Sequence, residues 1–489
     1  MNDLPKGWVE TAIFEIAELH RGVTYKKNDS SQLPFTGSIP ILRANNIDDG
    51  INFSDLVYVP SSNVSENQIM QDYDILIAMS SGSKNLVGKS AQLPYSAKEY
   101  SFGAFCSVLR SSASVKSSYV AFFLQSRLFR DLISQKSKGI GINNLKKDDV
   151  LNSMIPLPPL AEQKRIVEKI EALFSRLDAG IAALEKTKAQ LKRYKQVIIM
   201  QAFTGKLSKT FREKQSLTRE LLNSHILANK KGATKLLAKQ QEKEELPEIP
   251  VEWIWSNIEL VASDEKNSIK AGPFGSALKK EFYVENGYKI YGQEQVIRQN
   301  HEYGDYYIDE ERYNSLLTCK VQPRDVLISL VGTIGKVLVL PDELEKGIIN
   351  PRLIKITFNQ NLMNPVFFKY YFESDFVRSV YRLQSHGATM DILNLSVIKS
   401  VPLPICSIEE QEYILKEIEK LHSKADKALE TVEQELKKAQ ALKSKILEYA
   451  FTGKLVPQNP DDEPAEVLLE RIKAEKEASQ STKKTRKRK

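Results

Sequence analysis

The sequence predicts an α+β protein in which a mixed α/β globular unit followed by one long helix occurs twice. Three observations carry this. Ile155-Pro156-Leu157-Pro158 returns as Val401-Pro402-Leu403-Pro404, and Glu162-Gln163 returns as Glu410-Gln411. Ala202-Phe203-Thr204-Gly205-Lys206-Leu207 recurs letter for letter from Ala450 to Leu455. From Glu162 to Leu207 the offset between copies stays at 248 residues, so the stretch between the marks has one length in both, as a structural repeat requires.

Taken in order, residues 1–155 form the first globular unit. It opens with Leu4-Pro5-Lys6-Gly7-Trp8, and short apolar runs at Ile39–Leu42, Leu56–Val59, Asp74–Met79 and Ala104–Leu109, separated by Ser, Asn, Asp and Gly, predict strands. Val120, Phe123, Leu124, Leu128 and Leu132 predict one helix with a core-facing stripe. Residues 156–207 are the first rod, with Ile166, Ile170, Leu173, Leu177, Ile181, Leu184, Leu191 and Ile198 on its seam. Pro158 and Pro159 suit its first turn and Gly205 its C-cap. Residues 208–247 read as a charged linker with one loose helix around Leu221, Leu222 and Ile226.

Residues 248–401 form the second globular unit, opening with Ile249-Pro250-Val251-Glu252-Trp253. Val326–Val331, Val337–Leu340 and the alternating Arg352–Phe358 predict strands, and Phe367–Val380, entered through Pro365, matches the first unit's helix. Residues 402–456 are the second rod. Ile414, Ile418, Leu421, Ala425, Ala428 and Val432 step by fours and threes, and the seam runs on through Leu436, Ala439, Leu442 and Ile446. Ser407 and Glu410 form a capping-box pattern, and Ile405-Cys406-Ser407-Ile408 is two residues longer than its counterpart Pro159-Leu160. Residues 457–489 hold a short helix around Val467–Ile472 and a basic tail.

The net charge of +8 argues only weakly for nucleic acid, because six of the basic side chains lie between Lys483 and Lys489. Cys106, Cys319 and Cys406 are far apart, which excludes a disulfide framework or cysteine zinc site, and His301 and His386 stand in no ligand pattern. No run is long and apolar enough to span a bilayer and no signal-peptide pattern opens the chain, so the expected compartment is the cytoplasm, with no membrane partner.

No catalytic constellation emerges. Gly82 to Ser90 looks like a phosphate-binding loop but has five residues between its glycines where the motif needs four, and a tight turn between strands explains it better. Asn350-Pro351 and Asn364-Pro365 lack the further residues of an amino-methyltransferase loop. What remains suits DNA reading: Lys26, Lys27, Arg43, Asn45, Asn46, Ser81, Ser83 and Lys84 in the first unit, and Lys270, Ser276, Gln293, Lys336, Arg352 and His386 in the second. Lys and Arg neutralise phosphates, while Asn pairs bidentately with adenine and Arg with guanine in the major groove.

The paired I/V-P-L-P openings with Glu-Gln, the paired Phe-Thr-Gly-Lys-Leu endings and the Leu-Pro-x-Gly-Trp start resemble the specificity subunits of type I restriction-modification systems over nearly the whole chain. The first unit, with Arg21–Lys27, Ile41–Ile47, Asp74–Ala91 and Ser101–Arg110, looks like the amino-terminal recognition domain of the K-type (type IA) group. Gly272-Pro273-Phe274-Gly275-Ser276 resembles a more general recognition-domain pattern. The resemblance implies two target recognition domains, each reading half of an interrupted asymmetric DNA sequence, in a non-catalytic chain. It implies two modification subunits as partners, which bind S-adenosylmethionine and methylate adenine N6, and two restriction subunits that use ATP and Mg. No cofactor or metal is expected on this chain. A pseudo-twofold relation would pair the rods as an antiparallel coiled coil that acts as a spacer. Two other readings are a coiled-coil scaffold without DNA specificity and a nucleotide-driven enzyme built on Gly82–Ser90.

Overall fold

The computed structural model describes residues 4–48, 50–82, 86–94, 99–136, 143–238, 246–384 and 393–486. The chain divides into two compact units, Met1–Glu185 with Glu433–Lys489, and Lys186–Val432. Each long helix therefore gives one half to each unit. The rods run Leu160–Phe203 and Ile408–Phe451, 44 residues each. The two extra residues of the second junction precede its helix and leave the rod length unchanged.

In the first unit, a four-stranded antiparallel sheet has the order Ala17–Arg21, Cys106–Ser111, Ile75–Ala78, Ser90–Gln92. A second sheet orders Val57–Pro60, Ser38–Leu42 and Ser101–Phe102, the last pair parallel. In the second unit the order Ile269–Ala271, Leu353–Ile356, Val326–Ser329, Val337–Val339 repeats the first pattern. Tyr307–Ile308, Tyr288–Tyr291 and Gly347–Ile349 repeat the second, with Tyr283–Val284 added at its edge. The strands Ile75–Ala78 and Val326–Ser329 are buried throughout, which is why Ile75–Ala78 and Val326–Ile328 are apolar runs, and buried Ser329 spends its hydroxyl on Thr333 O.

The recurring sequence marks are the joints between domain and rod. Val9–Ala12 pairs antiparallel with Met154–Leu157, and Ile254–Ser256 with Leu403–Ile405. The buried Glu162 carboxylate accepts from Trp8 Nε1 at 3.0 Å, and Glu410 accepts from Trp253 Nε1 at 2.9 Å. Gln163 accepts from Lys116 N and donates to Pro158 O, while Gln411 accepts from Asn364 N and donates to Leu362 O and Cys406 O. A buried amide needs partners on both ends, so an apolar substitute at either position would strand backbone groups. Tyr119 OH donates to Pro156 O at 2.6 Å, and Tyr371 OH donates to Pro402 O.

Each rod ends at a left-handed glycine, Gly205 at φ 67° and Gly453 at φ 70°. Lys206 N donates to Gln201 O and Gly205 N to Ala202 O, a Schellman cap, and Lys454 N repeats the first of these bonds to Tyr449 O. A Cβ on Gly205 would lie 2.3 Å from Pro250 Cγ, and one on Gly453 would lie 2.2 Å from Pro5 Cγ. The prolines of the domain openings thus sit on the rod ends, and both motifs recur because they meet.

Within each unit the rod halves run antiparallel. In the first, Ile166 and Ile170 share a core with Ile446, Leu447 and Ala450, and Asp178 pairs with Lys443. In the second, Ile198 and Ala202 share a core with Ile414 and Ile418, and Lys195 pairs with Asp426 at 2.7 Å. Leu442, expected on the seam, is exposed, and half-buried Lys443 takes the place beside it, its ammonium 5.3 Å from the Phe174 ring centroid. Glu410 N donates to Ser407 Oγ, but the Glu410 side chain turns to Trp253, so only half of the expected capping box forms.

Two further expectations shift. The stripe from Val120 to Leu132 is not one helix: Ser126 is extended at ψ 154° and separates Ser117–Gln125 from Arg127–Lys136. That break rotates the second face by one residue, so Phe129 and Ile133 are buried while Leu128 and Leu132 are exposed. Residues 208–238, read as linker, instead fold into Lys209–Gln215, Arg219–Asn229 and Ala233–Leu237, with Leu222, Ile226 and Ala233 in the second unit's core. Their counterpart is Ala465–Arg486, longer than expected, which buries Ala465, Leu468 and Ile472 in the first unit. The acidic run Glu242–Glu245 and the last three residues lie outside the described residues.

Candidate nucleic-acid interface

In the first unit, four segments far apart in sequence line one open concavity of about 880 Å³. They are the stretch after Ala17–Arg21, the turn after Ser38–Leu42, the short strand Ser80–Ser81, and the loop joining Ser101–Phe102 to Cys106–Ser111. Of the predicted residues, Lys27, Arg43, Asn45 and Ser81 line it, and exposed Lys26 adjoins Lys27. Ser83 and Lys84 lie outside the described residues. Thr24, Gln32 and Phe105 also line it; Thr24 and Phe105 lie inside the stretches Arg21–Lys27 and Ser101–Arg110 singled out from the sequence without being picked individually, and Gln32 was not picked out.

Arg43 is positioned but not locked. Its Nη2 donates to Asp55 O at 2.7 Å and to Asp55 Oδ2 at 3.0 Å, and Asn45 Nδ2 donates to that same Oδ2 at 2.8 Å. Asp55 is largely solvent-exposed, so this pair is worth at most about 1 kcal/mol and a phosphate or guanine edge can replace it. Burial pushes the Tyr25 phenol up, against the downward pull of nearby Arg43, so it remains a neutral donor at physiological pH. Burial also pushes the Cys106 thiol up to about 12, which makes it a poor nucleophile.

Asn46 requires correction. It is buried, its Oδ1 accepts from Arg43 N, and its Nδ2 donates to Asn52 O and Ser54 O. With its amide consumed in shaping the turn, it cannot reach a base. Gln295 has the same place in the second unit, buried and accepting from Gly292 N.

In the second unit, the corresponding loops also come together. Gly272 N donates to Leu353 O, Leu330 N to Arg352 O, and Gln293 Nε2 to Val331 O. Arg352 and Ser276 are exposed, and Lys270 is half-buried on its strand. Gln293 spends a donor on Val331, so its reading capacity is reduced to the rest of its amide. Lys336 does not join the group: its ammonium is 4.0 Å from Glu373, beside the helix Pro365–Phe372. His386 lies outside the described residues.

The candidate phosphate loop is not one. Its flanking strands Ile75–Ala78 and Ser90–Gln92 pair antiparallel, as do Val326–Ser329 and Val337–Val339, whereas a phosphate loop leads from a strand into a helix. Among the described residues, no group of His, Cys, Asp and Glu is arranged to hold a metal, and no helix is long and apolar enough to cross a membrane. The gathered groups are cations, amides, hydroxyls and one apolar ring on a concave face, a set suited to phosphate oxygens and base edges.

The family model described as "Type I restriction modification DNA specificity domain" matches residues 5–193 and 272–438. The EcoKI specificity subunit of Escherichia coli K12 is 32% identical over 99% of this chain and 98% of its own. The StySPI specificity subunit of Salmonella potsdam is 31% identical over the same shares. Among solved structures, one described as "Structural basis underlying complex assembly and conformational transition of the type I R-M system" aligns with TM-score 0.65 at 17% identity, covering 93% of this chain and all of that one. The HsdS subunit from Thermoanaerobacter tengcongensis aligns with TM-score 0.51 at 16% identity, covering 92% and 98%.

Proposed function

The chain belongs to the specificity subunits of type I restriction-modification enzymes, and we propose that each of its two units reads one half of an interrupted, asymmetric double-stranded DNA target. One observation carries this reading. The two units repeat the same sheet order and the same loop meeting, at Gly22 with Cys106 and at Gly272 with Leu353, yet place different side chains on those loops. A repeated frame with unlike loops is what two readers of unlike half-sites require.

In this reading Lys26, Lys27, Arg43, Asn45 and Ser81 serve the first half-site, with Ser83 and Lys84 nearby in sequence. Lys270, Ser276, Gln293 and Arg352 serve the second, and His386 is assigned to it from the sequence alone. The rods set the gap between half-sites and offer their outer faces to two modification subunits. S-adenosylmethionine, ATP and Mg belong to the modification and restriction partners, and this chain catalyses no step. It works in the cytoplasm, where its DNA is, and falls in the K-type group with its EcoKI and StySPI relatives.

Fluorescence anisotropy of a labelled target duplex, titrated with the chain assembled on its modification partners, tests this over a range of salt. The logarithm of affinity should fall linearly with the logarithm of salt concentration, and a target should outcompete a scrambled duplex by about a thousandfold or more. A chain acting only as a scaffold would leave the partners' affinity and preference unchanged when it is omitted.

A further inference from the structure

In each unit, the most exposed aromatic ring among the described residues lies on the loop pair that rims the candidate interface. In the first unit it is Phe105, 69% exposed, and in the second Phe274, 90% exposed. The two rings do not occupy equivalent positions. Gly22 N donates to Cys106 O at 3.2 Å and Gly272 N to Leu353 O at 2.9 Å, which sets the two loop pairs in register. The approach is close in both: a Cβ on Gly22 would lie 2.1 Å from Gly103 O, and one on Gly272 would lie 1.9 Å from Asn350 O. By that register Phe105 stands where the second unit has Arg352, and Phe274 stands where the first has Thr24. Across the loop pair, one unit offers Thr and Phe, the other Phe and Arg.

Neither ring contributes to folding in proportion to its size, because most of its surface stays in water. The backbone beneath Phe105 is nonetheless fixed, since its carbonyl accepts from both Met79 N at 2.9 Å and Ser80 N at 3.1 Å. The ring projects into a concavity whose other groups include Lys27, Arg43, Asn45 and Ser81. Phe274 is held likewise at the head of the turn Gly275–Ala277, its carbonyl accepting from Ala277 N at 2.8 Å. An apolar ring on a fixed backbone among polar donors adds an element the polar set lacks. In the major groove the apolar feature to be read is the 5-methyl group of thymine.

We propose that Phe105 and Phe274 are specificity-determining residues, each placing its ring against the methyl group of one thymine in its own half-site. This rests on the DNA-reading assignment of the two units. It also makes a statement about the target, namely that each half-site contains a thymine whose methyl group contributes to affinity.

The test uses the chain assembled with its modification partners and duplexes carrying the methylated target, in which each thymine is replaced in turn by deoxyuridine. For the wild-type chain, one replacement in the first half-site should weaken binding about fivefold, the scale of one buried methyl group with its packing. Phe105→Ala should be insensitive to that same replacement, while Phe105→Leu, which keeps an apolar side chain there, should retain most of the sensitivity. Phe274→Ala should lose sensitivity at one thymine of the second half-site alone. Both rings are exposed, so the variants should fold, which circular dichroism and a thermal unfolding midpoint matching those of the wild-type complex verify. Identical deoxyuridine profiles for the wild type and Phe105→Ala would overturn the assignment of Phe105, as would equal losses on target and scrambled DNA. A wild-type complex with no preference for target over scrambled duplex would instead sink the DNA-reading assignment itself.

Discussion

The two joints between domain and rod share one plan but differ in charge, and Glu162→Gln and Glu410→Gln should therefore have unequal costs. At the second joint, Glu410 Oε1 accepts from Ser208 Oγ and Arg212 Nη1, both at 2.6 Å, and Oε2 accepts from Trp253 Nε1. Glu410 is buried and Arg212 is 9% exposed. Making Glu410 neutral leaves the guanidinium without its nearest anion in a dry site, which costs about 3–5 kcal/mol. The more distant Glu252, 3.6 Å from Arg212 Nε, offsets part of this. At the first joint, the direct partners of Glu162 are neutral, Trp8 Nε1 at 3.0 Å and Gln458 Nε2 at 3.3 Å, while Arg165 is held by Asp462 at 2.6 Å. Burial pushes the Glu162 carboxyl above its ordinary value, so the charged form is already disfavoured there. Losing charge-assisted bonds to neutral donors costs about 1–2 kcal/mol.

Hydrogen exchange reads both joints locally, through peptides covering Trp8–Ile16 and Trp253–Val261. At 1.4 kcal/mol per factor of ten, Glu410→Gln should speed exchange in the second peptide about a hundredfold or more. Glu162→Gln should speed the first by about five- to thirtyfold. The double variant Arg212→Met/Glu410→Met should recover part of the loss, since it removes the stranded cation. Equal effects at the two joints, or a larger one for Glu162→Gln, would refute the reasoning.

Lys27→Ala and Arg43→Ala should each weaken binding and lower the salt slope by about one for each phosphate the native side chain neutralises, measured by anisotropy. Asn46→Ala should unfold its turn and expose the Ile47–Ile51 bridge to exchange rather than change base preference. His20 and His422 are both held below the ordinary 6.5, first by burial, with Arg110 adding to the shift at His20, while the Lys195 carbonyl opposes it at His422. The unfolded chain then binds their protons more readily, so this stability is full above about pH 6.5 and is lost as pH falls through the lowered folded values. Urea unfolding at pH 5 and pH 7.5 should show it, with a smaller difference in His422→Gln. Inserting four residues after Lys188 adds about 6 Å to the first rod and should lengthen the preferred gap by at most about two base pairs, read by methylating a library of gap lengths.

The duplicated rods were legible because helical periodicity and equal spacing are local signals that survive in one sequence. The joints were visible as recurring letters, but their chemistry was not, because Trp8 meets Glu162 and Trp253 meets Glu410 only after the chain folds. The linker reading found the helix around Leu222 and Ile226 but took it as loose, because a charged average concealed that these two side chains, with Ala233, dock into the second unit's core. A single extended residue, Ser126, shifted the helix face from Leu128 and Leu132 to Phe129 and Ile133. Site residues were harder for the same reason. Arg43, Asn45 and Asn46 are close in sequence, yet two line the concavity while the third is spent inside its turn, and composition does not distinguish them.

The most direct test of two independent readers is to exchange residues 13–153 for the same region of another specificity subunit. This leaves the strand pair Val9–Ala12 with Met154–Leu157 and the Trp8–Glu162 bond in place. Methylome sequencing of cells carrying the hybrid with its modification partner should show a new first half-site joined to the original second half-site at the original gap. A hybrid that methylates with both half-sites altered, or with neither altered, would contradict the account.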